Sequence, residues 1–188
     1  MTDDRLRDAE LMARVAAGDQ QACRQLVESH LGPVLGLAQR MLGEPSAAED
    51  VAQEAFLRLW RQSGSWRPEA RIGTWLYRVT HNLAIDQLRG RRRLDSDALP
   101  EQIDPAPGPA CRQQRVQVGR LVEAALGRLP ERQRTAITLV HHQELSNIEA
   151  AEIMAVSVEA LESLLSRGRR ALRAELAELK ADLLGELP

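Results

Sequence analysis

Four prolines, Pro100, Pro105, Pro107 and Pro109, fall in a short stretch that also carries Asp95, Asp97, Glu101 and Asp104. Proline has no amide hydrogen and a fixed φ, so no continuous helix can cross this stretch. Acidic and poor in large apolar side chains, it reads as a flexible linker over residues 94–111. The linker splits the chain of 188 residues into segments 1–93 and 112–188, each of a size to close a small core. On both sides Leu, Ala, Glu, Arg and Gln dominate, while alternating Val/Ile runs and aromatics are scarce. The expected fold is all-α: two small helical domains joined by a flexible linker.

Apolar spacings of three and four residues place the helices. The first runs from Leu6 to Ala17 and breaks at Gly18, after which Asp19 caps a second helix reaching about His30. Gly32 and Pro33 punctuate the chain. A third helix then carries Val34, Leu35, Leu37, Ala38, Met41 and Leu42 to a stop at Gly43 and Pro45. Ser46 and Glu49 have capping-box spacing for a helix to about Gln62. Its apolar stripe is Val51, Ala55, Leu59 and Phe56, which leaves Glu49, Asp50, Gln53, Glu54 and Arg58 on other faces. Residues 64–73 form a loop, and Thr74 caps a helix through Trp75, Leu76, Val79, Leu83, Ile85 and Leu88 to the basic cluster Arg89, Arg91, Arg92 and Arg93.

Beyond the linker the pattern gives helices over 113–127, 130–142, 146–154 and 157–184. Pro130 suits a first helical turn, where a missing N–H costs nothing. Ser146 and Glu149 make a second capping box on a helix of about two turns. A three-residue turn around Ala155 and Val156 follows, and Ser157 caps the next helix; together these form a helix-turn-helix layout. Leu161, Leu164, Leu165 and Leu172 face the core. Ser157, Glu159, Ala160, Glu162, Ser163, Ser166, Arg167 and Arg170 are left for a DNA groove. There Glu162 could accept from cytosine N4 while the arginines hold phosphates. Spacing alone equally allows an ordinary helical hairpin with a solvated charged face.

The formal net charge of -2 argues against generic coating of nucleic acid, but the arginines are segregated into two clusters flanking the acidic linker. All five aromatics, Phe56, Trp60, Trp66, Trp75 and Tyr77, fall in one window beside the first cluster. Stacked bases are worth roughly 1–3 kcal/mol each on such side chains. Phe56, Trp60 and Trp75 follow the core pattern, which leaves Trp66, in the loop, as the freest to stack. Cys23 and Cys111 lack metal-ligand or disulfide spacing, and the adjacent His141 and His142 point about 100 degrees apart on a helix, so no metal and no cofactor are expected. No apolar run approaches the roughly 20 residues of a membrane span, and the polar start lacks a secretory pattern, so a cytoplasmic protein without membrane insertion is expected.

Three stretches together resemble the extracytoplasmic-function sigma factors of the sigma-70 family. Residues 48–60, AEDVAQEAFLRLW, are similar to the polymerase-binding helix of sigma domain 2. Residues 75–86, WLYRVTHNLAID, with the arginines that follow, are similar to the helix with which that domain reads the minus-10 promoter element. Residues 129–134, LPERQR, with 146–173, are similar to domain 4, which binds the minus-35 element and the beta flap of core RNA polymerase.

The resemblance implies that Glu49, Asp50, Gln53, Glu54 and Arg58 meet the beta-prime clamp helices. It places Trp66, Arg71, Arg78, His81, Asn82, Asp86, Arg89, Arg91, Arg92 and Arg93 on or beside the minus-10 surface, with the 64–73 loop holding an extruded base. The Ser157 to Arg170 set falls to the minus-35 element, and an anti-sigma factor becomes an expected partner. The chain departs from many relatives at Ala155, where they carry Gly in the turn, and at Glu159 and Glu162, where they carry a small residue and a Lys. Carboxylates there change which base edges can pair and repel phosphates.

Two rival readings differ in kind. A helix-turn-helix regulator with a sensing or dimerising first half would bind DNA without polymerase, whereas a sigma factor alone should retard duplex promoter DNA weakly. An enzyme would need a phosphate loop, a metal-spaced carboxylate cluster or a Cys/His pair, and the sequence has none of these.

Overall fold

The computed structural model describes residues 3–94 and 113–185, so apart from Leu94 the expected linker lies outside the described residues. Within them every regular element is helical: α1 (Asp3–Ala16), α2 (Gln20–Leu42), α3 (Pro45–Gln62), a 3-10 turn (Ser63–Ser65), α4 (Ile72–Leu94), α5 (Gln113–Arg128), α6 (Glu131–Ile137), a π-helical turn (Thr138–His142), α7 (Asn147–Ile153) and α8 (Val158–Gly185).

The long helix α2 organises the first half, with α1, α3 and α4 packed around it. Its start follows the chemistry expected: Gly18 turns at φ 79°, and the Asp19 carboxylate accepts the N–H groups of Gln21 and Ala22 at 2.9 and 3.1 Å. Its interior corrects the sequence reading, because the helix runs unbroken through Gly32 and Pro33. A proline inside a helix costs about 3 kcal/mol. Burying Val34, Leu37 and Met41 against α3 and α4 is worth roughly 1.5–3 kcal/mol for each side chain and outweighs it. The Gln143 amide also donates to the Pro33 carbonyl at 3.2 Å.

Two further starts differ from expectation. Pro45 opens α3 rather than ending the helix before it, since its fixed φ fits a first helical position and moves the cap back to Glu44. Ser46 therefore does not cap; its hydroxyl donates to the Glu44 carboxylate at 2.9 Å. Thr74 does not cap either, because α4 begins at Ile72 and Thr74 is buried in its first turn. The Ile72 N–H is taken at 2.8 Å by Asp8, a carboxylate from α1.

In the second half the expected order holds, with one refinement. The helix expected over 130–142 is α up to Ile137 and then widens into the π-helical turn, with Gln143 N–H donating to Thr138 O at 3.0 Å. Ser146 caps α7 in a reciprocal box with Glu149, and Ser157 Oγ accepts the Ala160 N–H at 3.2 Å at the start of α8. Leu161 and Leu165 are fully buried, and Leu164 and Leu172 pack beside them. At Gly168 α8 crosses α6 so closely that an added Cβ would lie 2.9 Å from Ile137 Cδ1.

The two halves meet. One apolar cluster, with Met12, Leu26, Leu59 and Leu76, belongs to the first half, while the other runs from Leu37, Met41 and Ala84 to Leu126, Leu139 and Leu161. Arg134 of α6 donates to the Met41 carbonyl at 2.9 Å, satisfying an orphan acceptor at the end of α2, and to the Gly127 carbonyl at 3.0 Å. Arg40 binds Glu123 at 2.8 Å across the same junction.

Candidate functional site

The expected site residues fall on three surfaces. On α3 the burial of Val51, Ala52, Ala55 and Leu59 turns Glu49, Asp50, Gln53 and Arg58 to solvent, with Glu54 half-exposed. Arg58 Nε donates to Glu54 Oε1 at 2.8 Å and holds that carboxyl below its ordinary range. This face borders an apolar groove of about 500 Å³ between α2 and α3, lined by Leu26, Leu31, Leu35, Phe56, Leu57 and Trp60 among others. Leu31, Leu57 and Trp60 are 41, 45 and 49% exposed. Trp60 is therefore not core, which corrects the sequence reading: Leu59 takes the inward position beside it, and Phe56 is half-buried.

The second surface is built by α4 and the loop before it. Arg71, Arg78, Asn82, Asp86 and Arg89 are exposed, Arg91 is half-buried and paired with Glu44, and the side chains of Arg92 and Arg93 lie outside the described residues. Arg71 pairs with Asp4 of α1 at 3.2 Å. Trp66 is not the freest aromatic. It is half-buried, stacked edge-on against Trp75 with ring centroids 6.0 Å apart, and its Nε1 is buried without a partner. These rings, with Arg67, Glu69 and Arg78, line a hollow of about 580 Å³.

His81 is only 9% exposed. Burial lowers its pKa, against the opposing hydrogen bond to Asn82 and the field of Glu131. It lines a cleft of about 740 Å³ with Ile85 and Arg89 of α4, Arg132 of α6 and Arg167 of α8.

The third surface is the outer side of α8, where Ser157, Glu159, Ala160, Glu162, Ser163, Ser166, Arg167 and Arg170 are all exposed. The turn that aims it is tight, with Ala155 at φ 51°. Ser163 and Arg167 form a local unit, Arg167 Nη2 donating to Ser163 Oγ at 2.9 Å. Asn147 reaches Glu162 at 3.4 Å, and the Glu159 carboxyl is held below its ordinary range by its own backbone amide and the Ser157 hydroxyl. The helix thus presents alternating carboxylates, hydroxyls and guanidiniums, a face able to read base edges and grip phosphates.

Asp8, Glu44 and Glu152 are not singled out by the sequence, and Arg134 enters it only as the last residue of the 129–134 stretch. Each acts on a partner far along the chain, and no local spacing announces such a pairing. Among the described residues, no three or more His, Cys, Asp or Glu side chains group to hold a metal, and no helix is long and apolar enough to cross a membrane.

Comparison with known proteins identifies both halves of the chain. Residues 26–94 match Sigma-70 region 2 and residues 119–172 match Sigma-70, region 4. The chain is 34% identical over 184 residues to the RNA polymerase sigma-H factor of Pseudomonas aeruginosa, covering 92% of this chain and 95% of that one. It is 34% identical over 179 residues to the ECF RNA polymerase sigma factor SigW of Bacillus subtilis, covering 88% and 95%. Among solved structures it is similar to CnrH in complex with the cytosolic domain of CnrY, with TM-score 0.66, 28% identity and coverage of 91% and 97%. It is also similar to the sigma factor RpoE in complex with the anti-sigma factor NepR from Bartonella quintana, with TM-score 0.67, 26% identity and coverage of 82% and 96%. Both regions occur in order, in relatives matched over nearly their whole length, so the chain belongs to the extracytoplasmic-function branch of the sigma-70 family: it is a sigma factor that binds core RNA polymerase, directs it to promoters and promotes DNA opening.

Proposed function

We propose that initiation is divided among the three surfaces, within domains spanning 1–93 and 112–188. On α3, Glu49, Asp50, Gln53, Glu54 and Arg58 dock on the beta-prime clamp helices of core polymerase. On α4 and its loop, Trp66, Arg71, Arg78, His81, Asn82, Asp86, Arg89, Arg91, Arg92 and Arg93 serve the minus-10 element, with an extruded base held beside Trp66 and Trp75. On α8, Ser157, Glu159, Ala160, Glu162, Ser163, Ser166, Arg167 and Arg170 serve the minus-35 element, and the second domain also meets the beta flap. No residue acts as a catalyst. Unstacking costs a few kcal/mol per base, and contacts made only to the open strand offset it.

The observation that carries this reading is the acidic outer face of α3 beside an open apolar groove. Charged groups at such a rim set partner choice and on-rate, and exposed aromatics such as Trp60 supply adhesion. The chain acts in the cytoplasm, where polymerase is. An anti-sigma factor holds it inactive, a reading supported by its likeness to CnrH and to RpoE, each solved in complex with the partner named above. Glu49→Lys with Asp50→Lys should weaken association with core polymerase at least about tenfold, a loss of about 1.4 kcal/mol, in a chain whose circular dichroism is unchanged. Unchanged association in that folded variant overturns the reading.

A further inference from the structure

We propose that the cleft bordered by α4, α6 and α8 is a binding site for a purine nucleoside diphosphate, taken up by the free chain and distinct from its contacts to polymerase.

The cleft has a volume of about 740 Å³, and three guanidiniums from three separate helices border it: Arg89 of α4, Arg132 of α6 and Arg167 of α8. Glu131 is the one carboxylate on the lining. Like charges brought toward one space repel, and an anion placed between them reverses that cost. Among the described residues Arg89 and Arg132 hold no hydrogen bond or ion pair, while Arg167 bonds to Ser163 of its own helix. A guanidinium presents its donors as a planar fork that matches phosphate oxygens. Forks arriving from three helices suit a diphosphate better than a single phosphate.

The rest of the lining asks for more than an anion. Ile85, Leu88, Met154 and Leu164 give the same cleft an apolar wall, which a bare phosphate leaves wet and a flat base covers. Gln133 is also on the lining, and its amide oxygen is buried without a donor. Buried acceptors are ordinarily matched, and an amino group on a purine supplies the missing donor. The volume falls within the roughly 300–1,000 Å³ of small-molecule sites, which join an apolar wall to a few convergent polar groups. A purine nucleoside diphosphate meets all three demands: charge, apolar cover and a donor. Bound there, it joins α4 of the first half to α6 and α8 of the second.

The test is isothermal titration calorimetry of the full chain without magnesium, with ADP, GDP, adenosine and inorganic pyrophosphate as probes. ADP or GDP should bind at least about tenfold more tightly than adenosine or pyrophosphate, each of which keeps only part of the contacts. Arg132 is exposed and belongs to none of the DNA or polymerase sets proposed above, so its loss reports on the cleft alone. Arg132→Ala, with unchanged circular dichroism, should weaken the diphosphates at least about tenfold, the scale of one lost charge-assisted contact. Arg24→Ala removes the same charge from an exposed position on α2 and should leave their affinity unchanged. Gln133→Leu should weaken ADP or GDP and spare pyrophosphate. Because the ligand binds the folded chain, the parent's Tm should rise with its concentration, and that rise should shrink in Arg132→Ala.

No binding of either diphosphate at millimolar concentration overturns the site. Full affinity retained in Arg132→Ala puts the nucleotide elsewhere and overturns it as well. Equal losses in Arg24→Ala and Arg132→Ala reduce the binding to diffuse charge, and pyrophosphate as tight as ADP removes the base from the cleft; either result sinks the proposal.

Discussion

Ala155 holds φ at 51° in the turn between α7 and α8, a conformation in which a Cβ approaches the following carbonyl oxygen. Ala155→Gly removes that conflict, and the entropy glycine adds to the unfolded chain takes back part of the gain. The expected result is a stabilisation of about 0.5–1 kcal/mol, read as a higher urea midpoint at unchanged slope. Gly168 presents the reverse case, because its missing Cβ is what lets α8 approach Ile137. Gly168→Ala sets this crowding, about 1–3 kcal/mol, against the roughly 1 kcal/mol that Ala gains over Gly inside a helix, so a net loss of up to about 2 kcal/mol is expected by the same measurement, and a stabilised variant would mean that the Ile137 side chain simply turns aside. The first residue was legible in the sequence, where the turn position was already read as one that relatives fill with Gly. The second was not, since a glycine between arginines on an amphipathic helix gives no sign of what crosses it.

Helix α8 carries its exposed set on one side because Leu161, Leu164, Leu165 and Leu172 claim the other. Arg167→Ala and Arg170→Ala should each reduce the slope of log affinity against log salt by about 1 for polymerase holoenzyme on a promoter. A loss of affinity with no change in slope would remove those side chains from the phosphates. Most helices, their order and their inward faces could be read from apolar spacing and caps, as with Asp19, Ser146 and Ser157. The misread boundaries share one cause. At Pro33 the burial of the flanking turns overrides a local breaker, and at the start of α4 the Ile72 amide is capped, in place of Thr74, by Asp8 of α1, 64 positions away. The exposed α3 and α8 sets were legible because a helix with a marked apolar stripe fixes its opposite face, whereas the covering of His81 depends on a second domain.

At the scale of the whole molecule, burial keeps His30 and His81 below the ordinary histidine range. The unfolded chain, with ordinary values, therefore binds protons at higher pH than the fold does. Stability from these rings is full above about pH 6.5 and is lost as pH falls through and below that value. Thermal unfolding followed from about pH 7.5 to about pH 5 should show a falling Tm, and His81→Gln should flatten the trend. A Tm that rises on acidification would contradict the burial of these rings.

Asp8 belongs to a helix that precedes the stretch matched as Sigma-70 region 2, which starts at residue 26. The segment that similarity delimits is accordingly shorter than the segment whose side chains close the first apolar cluster. A fragment dissected at residue 26 strands the Ile72 amide and strips Met12 and Val15 from the core, so it should behave as a partly melted domain even though every recognised motif is present.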